Sequence, residues 1–413
     1  MKFLIVSQYF WPETFIINEL ANHLAGSGHP VTVLTGKPNY PDGNIFKGYQ
    51  LSGIQHEQLP SGVQIHRVPL RPRLRGGKWN IALNYLSFLF SGLFRFPSLV
   101  KRKEFDVILF FAPSPLTSAI TALPLKYLTH SHLAIWVQDL WPESLSATGY
   151  VHNRAVLYLI RRLVRMIYGS ADTLLIQSQA FQEPVSALTD PKKVIYYPNF
   201  SKTIAAPAVD EINSLPAPLQ RQLEENFCVV FTGNLGIAQA LDSILEAARQ
   251  LRDLSRIKFL LVGSGSQSAW LGRQIEKIGL ANLILTGRLP PEQMPVVYQH
   301  ADALLVTLKA DKIFTYTVPS KVQGYLASGR PIIACANGET ARIITDSGAG
   351  IVCPAEDPSA LAGAIRTLYH TPVEQRDAMG ERGLRYFMTH FEMESQIRIL
   401  LDLLRKRIKS GKT

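Results

Sequence analysis

Two doubly wound α/β domains with a cleft between them is the fold class this sequence predicts, and three observations predict it. Short unbroken apolar runs recur along the chain, from Phe3-Leu-Ile-Val6 to Ile332-Ile-Ala-Cys335, as strands buried on both faces of a parallel sheet require. Segments of helical spacing separate them, the alternation of βαβ units. That alternation lapses once, over residues 201–222, where Ala205-Ala-Pro-Ala208 and Leu215-Pro-Ala-Pro218 show no clear buried pattern. The expected division is an N-terminal domain over 1–200, a linker over 201–222 and a second domain over 223–385. A C-terminal helix over 386–413 is expected to pack back on the first domain.

Composition limits the class further. Apolar content of 46% with 18% charged residues describes a folded chain, and 413 residues suffice for two cores. Cys228, Cys335 and Cys353 lie in apolar segments without metal-ligand spacing, as buried free thiols of a reducing compartment do. The opening Met1–Ser7 has too short an apolar run for a signal peptide, so a cytoplasmic location is expected. The net charge of +11 is uneven: residues 1–200 hold 19 Lys and Arg against 11 Asp and Glu. Between Arg67 and Lys103 nine basic residues occur and no acidic one, which asks for an anionic partner.

In chain order, Phe3–Val6, a helix near Ile16–Ala25 and Val31–Thr35 make the first βαβ unit. The loops that follow its strands, Gln8–Glu13 and Gly36–Gly43, fall at the carboxyl edge of the sheet, where ligands of such sheets bind. Trp79–Phe96 reads as a helix with Asn84, Ser87, Ser91 and Arg95 on a polar side and Pro97 at its end. It is nearly long enough to span a bilayer, which takes ~20 apolar residues, but its polar side favours lying in the interface. The basic and aromatic stretches 67–103 and 154–167, the latter with Arg161, Arg162 and Arg165, are therefore expected to meet a membrane surface. The alternative is a buried helix beside a solvated basic loop. Asp106–Phe111, Leu133–Gln138, Thr173–Ser178 and Lys193–Asn199 continue the first sheet. Val229–Thr232, Lys258–Val262, Leu283–Arg288, Ala303–Val306 and Ile332–Cys335 build the second.

Of the chemistry-bearing motifs, Thr315–Cys335 is the most informative. Pro319 interrupts, Ser320 with Gln323 reads as a capping box, and Gly329 and Pro331 end the helix. Lys321 in its first turn would add a positive charge to the free N–H groups of a helix start, an anion site. The glycine turns Gly233–Gly236 and Gly263–Gly265 match no strict dinucleotide fingerprint. Walker A, G-x-S-x-G and H-E-x-x-H motifs and metal-ligand spacings are missing, as is a nucleic-acid module pattern. A nucleoside diphosphate suits the glycine turns, Arg288 and Lys321 best.

At this point the sequence resembles the GT-B retaining glycosyltransferases of family 4, with WbuB-like enzymes of surface-polysaccharide assembly as the nearest kin. The resemblance spans nearly the whole chain. It rests on Ser7–Glu13, Val33–Gly43, Asp139-Leu-Trp-Pro-Glu143, Tyr197-Pro-Asn199, Thr232–Gly236, Gly263–Gly265, Pro319-Ser-Lys321 and Gly329-Arg-Pro331. It implies two Rossmann-like domains facing an interdomain cleft, and transfer of a HexNAc or deoxy-HexNAc from a UDP-sugar to a lipid-linked acceptor. It implies no bound metal or other cofactor and no nucleic acid, with the enzyme peripheral or monotopic on the cytoplasmic face of the membrane. Catalytic roles are implied for Asp139 and Lys321. Donor contacts are implied for Gly233, Asn234, Gly236, Gly263, Arg288, Leu289, Ser320, Lys321 and Glu339, and acceptor-side contacts for Glu13, Asn18, Asn39 and Tyr40. The sequence departs from the family in three places. Tyr316 and Gly324 stand where a Glu pair is usual, which makes Glu339 the candidate for holding the ribose. Asn234 and Gln239 replace a usual Arg and Lys, and Gln138 stands where many relatives have His. Two rival readings keep the fold, a nucleotide-sugar epimerase and a non-catalytic membrane-associated scaffold.

Overall fold

The buried apolar runs, with one polar edge strand, form fourteen strands in two sheets of a computed structural model that describes residues 1–74, 77–101, 104–147, 153–204 and 209–410. In the first sheet these are β1 (Phe3–Val6), β2 (Val31–Gly36), β3 (Gln55–Gln58), β4 (Gln64–Val68), β5 (Val107–Ala112), β6 (His132–Val137), β7 (Thr173–Ile176) and β8 (Val194–Tyr196). Their order is β3-β4-β2-β1-β5-β6-β7-β8, parallel throughout except for β3 against β4. Phe3 pairs with both Val31 and Val107, so the strand order reverses at β1. Chain loops diverge from such a point and leave room for a ligand.

The second sheet holds β9 (Phe227–Thr232), β10 (Ile257–Val262), β11 (Leu283–Gly287), β12 (Ala303–Thr307), β13 (Ile332–Cys335) and β14 (Gly350–Cys353). It is wholly parallel in the order β11-β10-β9-β12-β13-β14, with its reversal between β9 and β12. Period-two alternation splits each strand between two cores. Cys228 and Val230 join one cluster with Leu304 and Tyr325, while Val229 and Phe231 join the other with Leu305 and Ile333. All three cysteines are buried and free.

Residues Met1–Pro198 with the chain from Ile397 onward form one compact unit, and Asn199–Gln396 form the other. Within the first, Arg407 donates to the Lys192 carbonyl oxygen at 2.6 Å. The last stretch is two helices, not one from 386: Val373–His390 and Met393–Ser410. Glu392 separates them, its carboxylate accepting the N–H groups of Glu394 (2.9 Å) and Ser395 (2.7 Å). The linker expected through 222 also ends early. Ala217–Glu225 is helical, and its Leu219 and Leu223, four residues apart, are buried in a core of the second unit. Residues 205–208 of that expected linker lie outside the described ones.

Sequence reading missed the β3–β4 hairpin, because Gln55-His-Glu-Gln58 is polar and only an edge strand tolerates that pattern. Pro97 corrects another expectation. The helix runs Lys78–Val100 with Pro97 inside it, since a proline removes only one donor and Lys101 N–H still reaches the Pro97 carbonyl at 3.1 Å. The basic exit at Arg102 and Lys103 falls outside the described residues. No helix of the described residues is long and apolar enough to cross a membrane.

Candidate active site

In the second unit the loops after β9 and β10 lie one upon the other. Gly233 N–H donates to the Val262 carbonyl at 2.9 Å, and Leu235 N–H to the Ser264 carbonyl at 3.1 Å. A Cβ on Gly263, whose φ is +141°, would collide with the Gly233 carbonyl oxygen, so no larger residue fits. Gly233 and Asn234 are exposed, whereas Gly236 is buried. The Asn234 amide lies over Gly265 and Gly236. Arg288, exposed at the end of β11, donates through Nε to Ser264 Oγ. Leu289 packs on the core that holds Tyr325. The Tyr325 hydroxyl accepts the Thr232 N–H at 2.9 Å, which fixes the end of β9 against the Lys321–Ala327 helix.

Lys321 is the charge of this edge that lies deepest against the glycine turns. Its Nζ lies 3.6 Å from the centroid of the Phe231 ring and 2.9 Å from Gln239 Oε1. Nζ and Cε are 3.8 Å from where a Cβ on Gly233 would stand. Among the described residues it enters no ion pair, and burial pulls its ammonium down to about 7. Gln239 is held in turn, its carbonyl accepting from Thr307 Oγ1 at 2.6 Å. Gln239, Phe231 and Tyr325 were not expected at the site. In the sequence Gln239 stands out only as a replaced base, and nothing local joins it to a lysine 82 residues on.

One expectation around Lys321 needs correction. Ser320 sits at the N-cap position with helical φ −57° and ψ −22° and makes no side-chain cap. The capping box is absent because an extended N-cap is what aims the hydroxyl at the first turn. The Gln323 amide nitrogen reaches the carbonyls of Ser320 (3.0 Å) and Pro319 (3.2 Å) instead. Glu339, buried at the start of the Glu339–Ser347 helix, is grasped by Arg342 through Nε (3.0 Å) and Nη2 (2.8 Å). A carboxylate in a bidentate pair has its two oxygens already engaged, though each keeps a lone pair for a further donor.

In the first unit the acceptor-side candidates turn inward. The Glu13 carboxylate accepts the N–H groups of Asn39 (2.8 Å), Tyr40 (2.8 Å) and Phe10 (3.2 Å), bracing the loop after β1 to the loop after β2. Burial outweighs those bonds and the nearby Arg67 and raises the carboxyl to about 7. Asn18 Oδ1 accepts Trp11 N–H at 3.0 Å while its amide donates to the Glu13 carbonyl at 2.7 Å. Asn39 bonds the Lys37 carbonyl at 3.0 Å. Only Tyr40 of the four is exposed, its ring against Tyr9 and Phe15. Asp139, beyond β6, accepts hydrogen bonds from Ser114, and burial raises its carboxyl nonetheless.

The Lys78–Val100 helix turns Asn84 and Ser91 of its polar side toward the protein, while Arg95 stays exposed. Asn84 is fully buried, accepting from Gln8 Nε2 (2.8 Å) and donating to the Arg71 carbonyl (2.6 Å). Trp79 (83% exposed), Leu83, Leu86, Phe90 and Phe94 (78%) recur at helical spacing on the outside. On the Arg154–Ser170 helix Tyr158 and Leu159 are exposed beside Arg161, Arg162 and Arg165.

Family comparison agrees with this fold. Residues 14–199 match the glycosyl transferase 4-like domain and residues 218–386 the glycosyl transferases group 1. A probable glycosyltransferase, WbjE of Pseudomonas aeruginosa, is 27% identical over 69% of this chain and 70% of its own length. The putative colanic acid biosynthesis glycosyl transferase WcaI of Escherichia coli K12 is 25% identical over 82% of this chain and 84% of its own. Among solved structures, Anabaena Alr3699/HepE in complex with UDP superposes with a TM-score of 0.72 at 13% identity, covering 98% of this chain and 100% of that one. Two Rossmann-like domains of this kind are the GT-B fold. The chain belongs to the family 4 glycosyltransferases of that fold.

Proposed function

We propose that the chain transfers a sugar, with retention, from a UDP-sugar to a lipid-linked acceptor in surface-polysaccharide or O-antigen assembly. The observation that carries this is Lys321, a largely buried cation that meets no carboxylate among the described residues, held over glycine turns that leave backbone bare. A diphosphate is the ligand such a site fits: it restores the charge that burial disfavours and approaches the chain closely. A leaving UDP gains negative charge as the glycosidic bond breaks, and a fixed ammonium stabilises that charge more than it does the bound substrate. Gly233, Asn234, Gly236, Gly263 and Ser320 would line the phosphates, with Arg288 and Leu289 beside them and Glu339 toward the ribose. A HexNAc or deoxy-HexNAc is the sugar proposed.

On the first unit, Asp139 would orient a hydroxyl at the carboxyl edge of the sheet, and Glu13, Asn18 and Asn39 would hold the loops that receive the acceptor. The outward apolar stripe of the Lys78–Val100 helix and the arginines of the Arg154–Ser170 helix would rest on the cytoplasmic face of a membrane. No bound metal is needed in this reading. The names of WbjE and WcaI support the class of reaction, and the UDP of Alr3699/HepE supports the donor.

The test is a thermal-shift screen with nucleotide sugars, followed by turnover with and without a lipid-linked acceptor. UDP-sugars should stabilise the fold, and turnover should require the acceptor. Turnover without any acceptor would replace this reading with an epimerase, and failure to bind any nucleotide sugar would replace it with a scaffold.

A further inference from the structure

Arg73 lies in the basic run before the Lys78–Val100 helix, and its surroundings are unlike those of a surface arginine. The guanidinium carbon sits 5.1 Å from the Tyr9 ring centroid, 5.2 Å from that of Tyr40 and 5.3 Å from that of Tyr85. Its Nη2 donates to the hydroxyls of Tyr9 and Tyr85, the latter at 3.0 Å. Its Nε is buried and meets no acceptor among the described residues. Nor does Arg73 enter an ion pair among them. Arg67, six residues earlier, does so with Glu57. Three aromatic faces stabilise a cation without cancelling its charge. A half-buried guanidinium whose charge no carboxylate among the described residues cancels is a receptor for an oxyanion, since its planar fork matches carboxylate or phosphate.

The position of the cage narrows the anion. Tyr9 follows β1 and Tyr40 follows β2, so the cage stands at the carboxyl edge of the first sheet, near its point of strand reversal. Tyr85 belongs to the Lys78–Val100 helix, whose Leu86, Phe90 and Phe94 lead away from it as an exposed apolar track. One kind of molecule satisfies both halves, an amphiphile with an oxyanion head and an apolar tail. We infer that Arg73 in its tyrosine cage binds the phosphate ester of the acceptor, with the lipid tail along the outer face of the Lys78–Val100 helix.

This inference rests on the lipid-linked acceptor proposed above, and its test separates the two. Full-length protein saturated with UDP, so that the donor site is filled, is titrated with farnesyl diphosphate, with farnesol, and with phosphatidylglycerol vesicles. The expected result is farnesyl diphosphate binding that Arg73→Gln weakens by at least about tenfold. Farnesol, vesicle and UDP binding should stay unchanged. Arg73→Lys keeps the charge but not the fork and should lose less, which also guards against a variant that merely misfolds. Equal farnesyl diphosphate binding by wild type and both variants overturns the inference, and so does a loss confined to the vesicles, which would make Arg73 a headgroup contact. Failure of UDP to bind wild type would instead sink the donor reading.

Discussion

At the loop edge of the second unit the Lys321 ammonium lies over an aromatic ring beside a bare glycine turn, and its hydrogen-bond partner is the Gln239 amide oxygen. At the loop edge of the first, charge is matched from within. Arg67 pairs with Glu57, Lys37 reaches Gln55 at 2.9 Å, and three N–H groups converge on Glu13. The first edge pairs these charged groups from within. The second leaves an electrostatic deficit that an anion would fill. Both are buried polar clusters, yet only the unsatisfied one points at a charged substrate. In the first unit Arg73 stands apart from these pairs, with a buried Nε that meets no acceptor among the described residues, and its location is what makes it informative.

The contrast can be broken most severely at Lys321. Lys321→Ala should lower kcat by ~10²–10³-fold, the range for removing one donor aimed at developing charge, and weaken UDP binding in calorimetry. Unchanged UDP affinity would show that the second edge is no phosphate site. Next in size, Glu13→Ala should destabilise the first unit by roughly 3 kcal/mol, because three buried donors lose their acceptor at ~1–3 kcal/mol each with partial relaxation. Urea melts would show it. An unaltered melting midpoint together with a raised acceptor KM would make Glu13 a substrate contact and not a brace. Removing apolar area from the outer stripe with Phe90→Ser and Phe94→Ser should reduce sedimentation with anionic vesicles by about tenfold, on the order of 1.5 kcal/mol of lost burial. Vesicle binding that survives both changes would detach the stripe from any membrane role.

The smallest expected effect is a proton. With its pKa pulled to about 7 by burial, Lys321 is charged below pH 7 and mostly neutral at pH 8. A bound diphosphate favours the charged form, so UDP binding at pH 8 should take up close to about one proton, and its affinity should fall as pH rises past 7. Calorimetry in buffers of different ionisation enthalpy reads this uptake directly. Lys321→Met, which cannot titrate, should abolish it; uptake that persists would place the titrating group elsewhere.

Much of the fold was legible because strands buried on both faces must be largely apolar: β1 and β13 are so throughout, and β9 and β12 up to a terminal threonine. What escaped lay where burial is one-sided or where long-range partners decide. The β3–β4 hairpin is polar at an edge. Leu219 and Leu223 were obscured by neighbouring prolines. Ser320 has the residue type of an N-cap and the dihedral angles of a helix interior. For the site, residue types at the carboxyl edge were readable, and Lys321 could be named from Pro319-Ser-Lys321. Its partners could not, since Gln239 and Phe231 reach it only through the sheet. Arg73 was visible as one member of a basic run. Nothing in that run distinguishes it from Arg71, which is exposed, because the distinction is made by rings at positions 9, 40 and 85.

The inward amide of Asn84 has a mechanical consequence. A helix with Trp79, Phe90 and Phe94 outside would ordinarily lower its free energy by rolling about its axis until those rings met the protein. Here a roll would strand Asn84, Gln8 and the Arg71 carbonyl without partners, at a cost of several buried hydrogen bonds. The polar contact acts as a latch on rotation, so the apolar stripe stays presented whether or not anything covers it. A chain built this way accepts a standing aggregation hazard in exchange for a surface that is always ready.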